Sequence, residues 1–340
     1  MNSNSPLVIA EAGVNHNGDL ALAKEMVHVA ADAGADYIKF QAFRAETIAA
    51  KSAPAADYQQ KNTDVRDQQT LLGALELDLE EFAVLAEECA RANVGFLVTP
   101  FDTDMAAPLV AMGMDRIKIS SGDMTNLPML EEFARFGLPM IVSTGMATEQ
   151  EVGQSLAVLR RAGADDVTLL HCTSLYPAPA GAINLRAMET MRRNFGTPVG
   201  YSDHSVGDHV SIAAVALGAT VIEKHFTLDR NMPGPDHTAS LEPGELRSMI
   251  KRLRETAEAL GDGVKRPAAG EAEVARLVRR SWHARCDLEA GALLTRDNVV
   301  LKRPGDGLPP HRSPFDHRLK TAVSADTPIH ESDLGSVASS

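Results

Sequence analysis

The sequence has few cysteines and no long apolar run. Of its 340 residues, three are cysteine (Cys89, Cys172 and Cys286), and their spacing matches neither a disulfide framework nor a metal-binding motif. This usage is typical of a reducing compartment, so we expect a cytoplasmic protein. The first residues, MNSNSPLVIA, lack the basic and apolar segments of a signal peptide. No apolar run approaches the length of a membrane-spanning helix, so we expect no membrane partner.

Positive charge is also scarce. Lysine and arginine number 33 against 46 aspartates and glutamates, which gives a net charge of −13 and a pI of about 5.3. This balance argues against a nucleic-acid partner, although cations concentrated at one place can still bind an anion. The hydrophobic content of 44% is enough for a large core.

Eight short apolar runs in the first three-quarters of the chain each end in a polar or ionisable cluster, and helical patterning separates them. The runs are LVIAEAGVNHNG from Leu7, YIKFQAF from Tyr37, GFLVTPF from Gly95, RIKISSG from Arg116, MIVSTG from Met140, TLLHCTS from Thr168, VGYSDHS from Val199 and VIEKHFT from Val221. This order is typical of an α/β protein with a (β/α)8 TIM barrel, whose chemistry gathers at the carboxyl ends of the strands. The clusters are therefore candidates for one shared pocket.

The chain is longer than one barrel of about 250 residues, so a second domain is expected. We predict a barrel over 1–262, a linker over 263–280 and a small β-rich domain over 281–340. In the last range, CDLEAGALLTRDNVV from Cys286 is echoed by SADTPIHESDL from Ser324, with Asp297 corresponding to Asp333. The echo is either a two-fold repeat or chance.

Helix signals and one long connection complete the pattern. Asp19 and Gly34 are expected to begin and end the first helix, and Thr148 with Glu151 forms a predicted capping box. The stretch 44–77 is longer and more polar than an ordinary loop between strand and helix, so it is a candidate lid or specificity insertion.

Strand alternation places two lysines on the inner face of the barrel. Lys39 shares a face with Gln41, and Lys118 shares one with Ser120, while apolar neighbours occupy the other face. An unpaired lysine does not pack against buried helices, so both point into the barrel mouth. They form either a site for phosphate or carboxylate, or structural salt bridges to Glu11 or Glu223.

Two histidines end adjacent strands. His204 shares a face with Ser202, and His225 shares one with Glu223, whereas Lys224 lies on the opposite face. Imidazole ligands suit Mn, Fe, Co or Zn better than Mg, with carboxylate, substrate or water completing an open site. The alternative is a pair of hydrogen-bonded core histidines.

Polar turns add candidates of lower specificity. Hydroxyl groups and turn amides able to hold phosphate occur at Thr99, Ser120, Ser121, Ser143, Thr144 and Ser202. Asn15, His16 and Asn17 either bind ligand or cap the helix that follows them. In PGPDH, Asp236 or His237 is placed to close over the site.

These motifs together resemble the sialic acid (N-acetylneuraminate, nonulosonic acid) synthase family over nearly the whole chain. The matching segments, in family order, are AEAGVNHNGD, AGADYIKFQAF, TPFD, IKISSGD, STGMAT, HCTSLYP, GYSDHSVG, IEKHFTLD and GPDHTASLEPGEL. GALLTRDNVVLKRPGDG resembles the family's antifreeze-like (SAF) domain. The resemblance implies a transferase that forms a C–C bond between phosphoenolpyruvate and an N-acyl amino sugar.

The resemblance also implies roles for individual residues. His204 and His225 match the ligands of a divalent metal, most often Mn²⁺, with Mg²⁺ or Co²⁺ as alternatives. Glu11 matches a carboxylate beside the acceptor sugar. Glu11 or Glu223 is expected, from the chemistry of the reaction, to assist proton transfer, so both join the histidines as catalytic residues. Positions around phosphoenolpyruvate are matched by Lys39, Thr99, Lys118, Ser121, Ser143 and Ser202. Positions around the sugar are matched by Asp123, Tyr176, Asp236 and Arg303. Asp123 stands where bacterial members commonly have glutamate, and Arg303 is expected to act on the partner subunit's site in a domain-swapped homodimer.

The expected reaction is that of an N-acetylneuraminate synthase, in which phosphoenolpyruvate condenses with the open-chain aldehyde of an N-acyl mannosamine and phosphate is released. One alternative is a legionaminic or pseudaminic acid synthase acting on a diacetamido-trideoxyhexose. Another is a related barrel that makes 3-deoxy sugar acids. The alternative of a different class is a non-catalytic protein that binds carbohydrate or ice.

Overall fold

The structure is a computed structural model, and it describes residues 5–55, 60, 63 and 65–337. The chain divides into two compact units, of which the first ends at Gly261 and the second begins at Asp262. Among the described residues, no helix is both long and apolar enough to cross a membrane.

The first unit is the predicted barrel. Its strands are β1 (Leu7–Gly13), β2 (Tyr37–Ala42), β3 (Gly95–Pro100), β4 (Ile117–Ile119), β5 (Met140–Ser143), β6 (Val167–Cys172), β7 (Val199–Asp203) and β8 (Val221–His225). They form one sheet in the order β3-β2-β1-β8-β7-β6-β5-β4, with parallel pairing throughout. The end strands β3 and β4 lie against each other, which closes the barrel. Every strand end that carries a polar cluster therefore opens on the same face.

Helices connect the strands and cover the barrel. They are α1 (Leu20–Ala33), α2 (Ala45–Ile48), α3 (Gln68–Gly73), α4 (Leu79–Ala92), α5 (Thr103–Ala111), α6 (Leu127–Ala134), α7 (Glu149–Arg161), α8 (Ala180–Ile183), α9 (Ala187–Phe195), α10 (His209–Ala216) and α11 (Pro243–Leu260). The expected ends are confirmed, since the Asp19 carboxylate accepts from Ala21 N and Leu22 N, and Gly34 has a φ of 85°. The Thr148–Glu151 capping box is also present.

The main core lies between the strands and the helices. Ile38 on β2 and Met26 on α1 are fully buried in it, as are Phe82 on α4 and Phe133 on α6. Each such side chain contributes about 1.5–3 kcal/mol relative to an exposed one. The apolar strand positions thereby hold the backbone in place, and the polar strand ends are presented to the barrel mouth on a rigid frame.

The insertion between β2 and α4 has a small core of its own. Val14, Phe43, Ala55, Leu71 and Leu75 form a separate buried cluster, which we call the insertion cluster. Helices α2 and α3 belong to this insertion, and sequence patterning predicted neither. Because Val14 follows β1 directly, the cluster fastens α3 to the rim of the barrel mouth.

The second unit is built from short antiparallel strands. They are β9 (Ser281–Ala284), β10 (Val299–Lys302), β11 (His317–Leu319) and β12 (Leu334–Val337), and they pair as β9 with β10 and β11 with β12. Ala284, Leu294, Val299 and Ile329 lie in its core. The predicted linker 263–280 contains a helix, α12 (Glu271–Val278).

The repeat predicted in the second unit is present, but its register differs by one residue. Thr295 N donates to Asn298 Oδ1 at 2.8 Å, and His330 N donates to Asp333 Oδ2 at 2.7 Å. Each turn follows a buried apolar residue, Leu294 or Ile329. Asp333 thus corresponds to Asn298, and aligning it with Asp297 was wrong because the buried residue and the turn define the repeat.

Candidate functional site

A cavity of about 340 Å³ lies at the barrel mouth, and twelve of the fourteen predicted site residues line it. These twelve are Glu11, Lys39, Thr99, Lys118, Ser121, Ser143, Tyr176, Ser202, His204, Glu223, His225 and Asp236. They come from all eight strands or the loops after them, which explains how residues so distant in sequence form one site. We call this space the main cavity.

Two lysines and two glutamates form a buried network at its base. Lys39 Nζ lies 2.7 Å from Glu223 Oε2 and 3.4 Å from Glu11 Oε2. Lys118 Nζ donates to Ser143 Oγ at 2.7 Å and lies 3.7 Å from Glu223 Oε1. The salt bridges of the second interpretation are therefore present, and both lysines line the cavity as well.

The pKa values of these groups diverge. Burial alone would raise the pKa of Glu223, but Lys118 and Lys39 hold it below its ordinary value. Burial, assisted by the charge of Glu223, raises the pKa of Glu11 to about 7 despite the opposing charge of Lys39. Burial lowers the pKa of Lys118 to about 8, and for Lys39 the two glutamates outweigh burial and raise the pKa. One carboxylate therefore stays ionised, whereas the other can exchange a proton near neutral pH.

The two histidines meet beside this network. Their ring centroids are 5.4 Å apart, and Tyr176 stacks on His204 with centroids 4.1 Å apart. His204 Nδ1 lies 2.9 Å from the Thr173 carbonyl oxygen. Since a carbonyl only accepts, Nδ1 carries a proton and Nε2 keeps its lone pair. Burial, together with the positive charges of His204 and Lys39, lowers the pKa of His225 well below its ordinary value.

These residues fit a divalent metal. His225 Nδ1 is buried and has no hydrogen-bond partner among the described residues, so a neutral imidazole nitrogen is available there. No group of three or more histidine, cysteine, aspartate or glutamate residues with metal-holding geometry occurs in the described part of the chain. The site thus offers two imidazoles, and substrate oxygens or water would supply the other ligands, as in an open catalytic site.

Lys224 lies outside the main cavity, as strand alternation predicted. It is fully buried, its Nζ is 3.2 Å from Asp203 Oδ2, and it donates to the Ser205 carbonyl. Ser211 Oγ on α10 donates to the same Asp203 oxygen at 2.6 Å. Lys224 faces the helices because Asp203 supplies the partner that a buried ammonium group requires.

The two polar turns differ in role. Asn15 Nδ2 donates to Phe226 O at 2.8 Å and to Ser240 Oγ at 2.9 Å, so it joins the end of β1 to the segment after β8. His16 Nδ1 accepts from Gly18 N at 3.1 Å, which makes its contact local. In PGPDH, Asp236 lines the main cavity, and burial raises its pKa to about 6.

Asp123 lies outside the main cavity, and Arg303 belongs to the second unit. Asp123 lines a second cavity beside the main cavity, where its Oδ2 accepts from Ser120 Oγ at 2.6 Å. Burial raises the pKa of Asp123. Arg303 is an exposed residue of the second unit.

Several lining residues escaped prediction. Gln41 donates to Glu11 Oε1 at 3.1 Å, and Cys172 Sγ lies 3.8 Å from His204 Nδ1. Gln41 lies in the cluster YIKFQAF and Cys172 in TLLHCTS, so their position at a strand end was the signal by which both could have been predicted. Leu71 and Leu72 reach the main cavity from α3. They lie in the stretch 44–77, which was predicted as a lid or specificity insertion, but no residue type or spacing marked these two leucines individually.

Comparison with known proteins identifies the family. The model of the NeuB family matches residues 26–265. The chain belongs to the NeuB family. It is also 47% identical over 305 residues to the N,N'-diacetyllegionaminic acid synthase of Campylobacter jejuni, an alignment that covers 89% of this chain and 91% of the relative.

Two further matches extend along most of the chain. The N,N'-diacetyllegionaminic acid synthase of Legionella pneumophila is 43% identical over 329 residues, which cover 95% of this chain and 92% of the relative. The crystal structure of the N-acetylneuraminic acid synthetase of Leptospira borgpetersenii has a TM-score of 0.72 and 37% identity, and the match covers 80% of this chain and 90% of that one. This member of the NeuB family is thus a phosphoenolpyruvate-dependent nonulosonic acid synthase, a transferase.

Proposed function

We propose that the chain condenses phosphoenolpyruvate with a diacetamido-trideoxyhexose and so acts as a synthase of the legionaminic acid type. The observation that carries this proposal is the 47% and 43% identity to two N,N'-diacetyllegionaminic acid synthases. The N-acetylneuraminic acid synthetase of Leptospira borgpetersenii is 37% identical. Sequence reasoning placed the N-acyl mannosamine first, and the comparisons favour its alternative.

Phosphoenolpyruvate occupies the cationic side of the main cavity. Lys39 and Lys118 neutralise its carboxylate and phosphate, and the hydroxyl groups of Thr99, Ser121 and Ser143, which line the same cavity, donate to its oxygens. Ser202 contacts phosphoenolpyruvate as well, but its hydroxyl donates to Glu223 Oε1 at 2.8 Å and must exchange that bond for one to the substrate. The buried position of both lysines strengthens their attraction for an anion, because little water screens it.

The sugar aldehyde lies on the histidine side. His204 and His225 hold the divalent cation, for which Mn²⁺ is our first candidate and Mg²⁺ or Co²⁺ the alternatives. When bound there, such a cation supplies Lewis acidity to the aldehyde oxygen. Because Cys172 and Thr173 oppose the effect of burial and raise the pKa of His204, protons compete with the cation at this ring in acid.

Bond formation joins C3 of phosphoenolpyruvate to the aldehyde carbon, whose oxygen takes a proton. Water then adds at C2, loses a proton, and the C–O bond to phosphate breaks, which releases inorganic phosphate. Glu11 is the better candidate than Glu223 for moving the proton of that water. Its pKa is about 7, and its Oε2 accepts no hydrogen bond from the described residues.

The remaining sugar contacts come from two sources. Tyr176 and Asp236 line the main cavity beside His204, where a sugar hydroxyl finds both a donor and an acceptor. Arg303 is proposed to come from the partner subunit of a domain-swapped homodimer, its planar guanidinium donating to the acyl group. Exposed apolar side chains in the loops after β5, β6 and β7, at Met146, Leu175 and Val206, support a partner surface at this rim.

The test is a comparison of acceptor sugars with the purified protein, phosphoenolpyruvate and Mn²⁺. We expect phosphate release with a diacetamido-trideoxyhexose, a product whose mass equals sugar plus pyruvate, and a higher kcat/KM than with N-acetylmannosamine. A preference for N-acetylmannosamine would overturn the assignment of the sugar. Sugar binding with no phosphate release from any acceptor would support a non-catalytic binding protein instead.

A further inference from the structure

A second cavity lies beside the main cavity, and its own residues have no part in the condensation steps described above. This side cavity, of about 460 Å³, shares with the main cavity the lining residues Gln41, Leu71, Leu72, Phe101 and Gly122. The two cavities are therefore adjacent, so a substituent on a sugar held in the main cavity is placed to extend toward the side cavity. The side cavity lies between helix α3 of the insertion and the loops after β2, β3 and β4.

The walls of the side cavity combine apolar and amide-like chemistry. Phe43, Ile48 and Leu72 present apolar surface, while Gln68 presents a side-chain amide and Asp123 a carboxylate. No described residue forms a hydrogen bond with the side chain of Gln68, and burial raises the pKa of Asp123. The cavity thus offers a donor, an acceptor and apolar surface within one small space.

Local structure holds these groups in place. Gln68 and Leu72 are four residues apart on α3, so both face the same side of that helix. Asp67 caps α3 by accepting from Thr70 N at 2.8 Å, and Leu71 is buried in the insertion cluster. On the opposite wall, the bond from Ser120 Oγ holds one carboxylate oxygen of Asp123 and leaves the other for a ligand.

We propose that the side cavity binds the second acetamido group of the acceptor sugar and that Gln68 and Leu72 thereby determine specificity; this inference rests on the proposed function. An acetamido group carries one carbonyl acceptor, one N–H donor and one methyl group. The Gln68 amide donates to the carbonyl oxygen, Asp123 accepts from the N–H, and Leu72 with Phe101 packs against the methyl group. A hydroxyl group at the same carbon is too short to reach these partners and leaves the polar groups of the cavity unpaired. Unpaired polar groups discriminate between substrates more strongly than a lost apolar contact does.

The experiment uses two sugar aldehydes that differ only in whether the second acetamido group is replaced by hydroxyl. The kcat/KM of the full-length protein is measured for each, and the ratio is the specificity. We expect Gln68→Leu, which removes the amide, and Leu72→Trp, which fills the cavity, each to lower this ratio about tenfold or more. Gln69→Leu is the matched control on the same helix, since Gln69 lies outside the side cavity and its Nε2 donates to Ala49 O at 2.8 Å.

The outcomes separate this inference from the proposed function. Wild-type protein that makes no product from the diacetamido sugar overturns both, because no second acetamido group is then used. Wild-type protein that prefers the diacetamido sugar, with Gln68→Leu and Leu72→Trp keeping the wild-type ratio, supports the proposed function and overturns the subsite. A fall of the ratio in Gln69→Leu equal to that in Gln68→Leu also overturns it, because loosening of α3 would then explain the effect. Circular dichroism and Tm establish that each variant is folded.

Discussion

At the scale of single residues, the site depends on how buried charges are paired. Lys39 and Lys224 are both buried lysines on barrel strands, but Lys39 faces Glu11 and Glu223 in the main cavity, whereas Lys224 faces Asp203 behind it. We therefore propose different roles for these identical side chains: Lys39 binds an anion, and Lys224 holds β7 to β8. Replacing Lys39 should therefore change the KM for phosphoenolpyruvate, whereas replacing Lys224 should change the free energy of unfolding.

We expect Lys39→Met to raise the KM for phosphoenolpyruvate about tenfold or more, because a cation that meets the anion is lost. Lys224→Met should instead lower the free energy of unfolding by about 3–5 kcal/mol, since it leaves Asp203 charged and buried. Steady-state kinetics and denaturant unfolding of both variants test this. A larger rise in KM for Lys224→Met than for Lys39→Met would contradict the assignment of faces.

The two histidines supply a second prediction. His204→Ala and His225→Ala should each lower turnover about tenfold or more and weaken Mn²⁺ binding measured by calorimetry, because each removes one imidazole ligand. Exposed His311→Ala is the control. Full activity of both site variants in excess chelator would show that no metal acts through these residues.

The buried side chain of His16 should make the free energy of unfolding depend on pH. Burial lowers its pKa from 6.5 to about 4 in the folded protein. Above pH 6.5 the ring is neutral in both states and has no effect. As the pH falls from 6.5 to 4, the unfolded chain binds a proton that the folded chain does not, so stability decreases by about 3 kcal/mol. Urea unfolding at several pH values should show this loss in the wild type and in His311→Gln, but much less of it in His16→Gln.

At the scale of elements, the barrel strands tolerate little added volume. Gly200 is the second residue of β7, where a Cβ would lie 2.7 Å from Leu170 Cδ2 and 2.8 Å from Val221 Cβ and would also collide with the Val221 carbonyl. Glycine is required at this position because strands β6 and β8 leave no room for a side chain.

Gly200→Ala should therefore destabilise the protein by about 1–3 kcal/mol or more through overpacking. Gly181 in α8 provides the matched substitution, since a Cβ there meets nothing within 4 Å. Thermal unfolding of the two alanine variants measures the difference. Equal Tm values would mean that the barrel relaxes around the methyl group.

At the scale of the whole molecule, the open question is whether one subunit completes the site of another. Arg303 belongs to the second unit, while Lys118 belongs to the barrel. The proposal of a domain-swapped homodimer predicts that these two residues of one active site come from different chains. Two separately inactive variants can therefore restore each other.

We expect activity to return in part when Arg303→Ala and Lys118→Ala proteins are mixed and exchange subunits, since a mixed dimer has one intact site. Mixing Lys39→Ala with Lys118→Ala is the control, because both lesions lie in the barrel and no intact site forms. Exchange is followed by native mass spectrometry. Confirmed exchange without recovered activity would place Arg303 at its own barrel.

The sequence by itself determined the barrel, several of its helices and twelve of the residues that line the main cavity. Apolar strand runs with polar ends carry this information locally, because side chains alternate along a strand and parallel strands end on one face. Lys39, Lys118, His204 and His225 were all assigned to the cavity this way, and the structure brings them together.

Only the tertiary structure decided the rest. The partner of Lys224 is Asp203 on the neighbouring strand. The pKa values of Glu11 and Glu223 differ because the set of lysines that lie close to each carboxylate differs. The side cavity exists because α3 packs over the barrel mouth. These features depend on distances between segments far apart in the chain, which no local pattern encodes. The same reason explains why Gln68 and Leu72, ordinary residues of a short helix, escaped notice until the fold placed them beside the site.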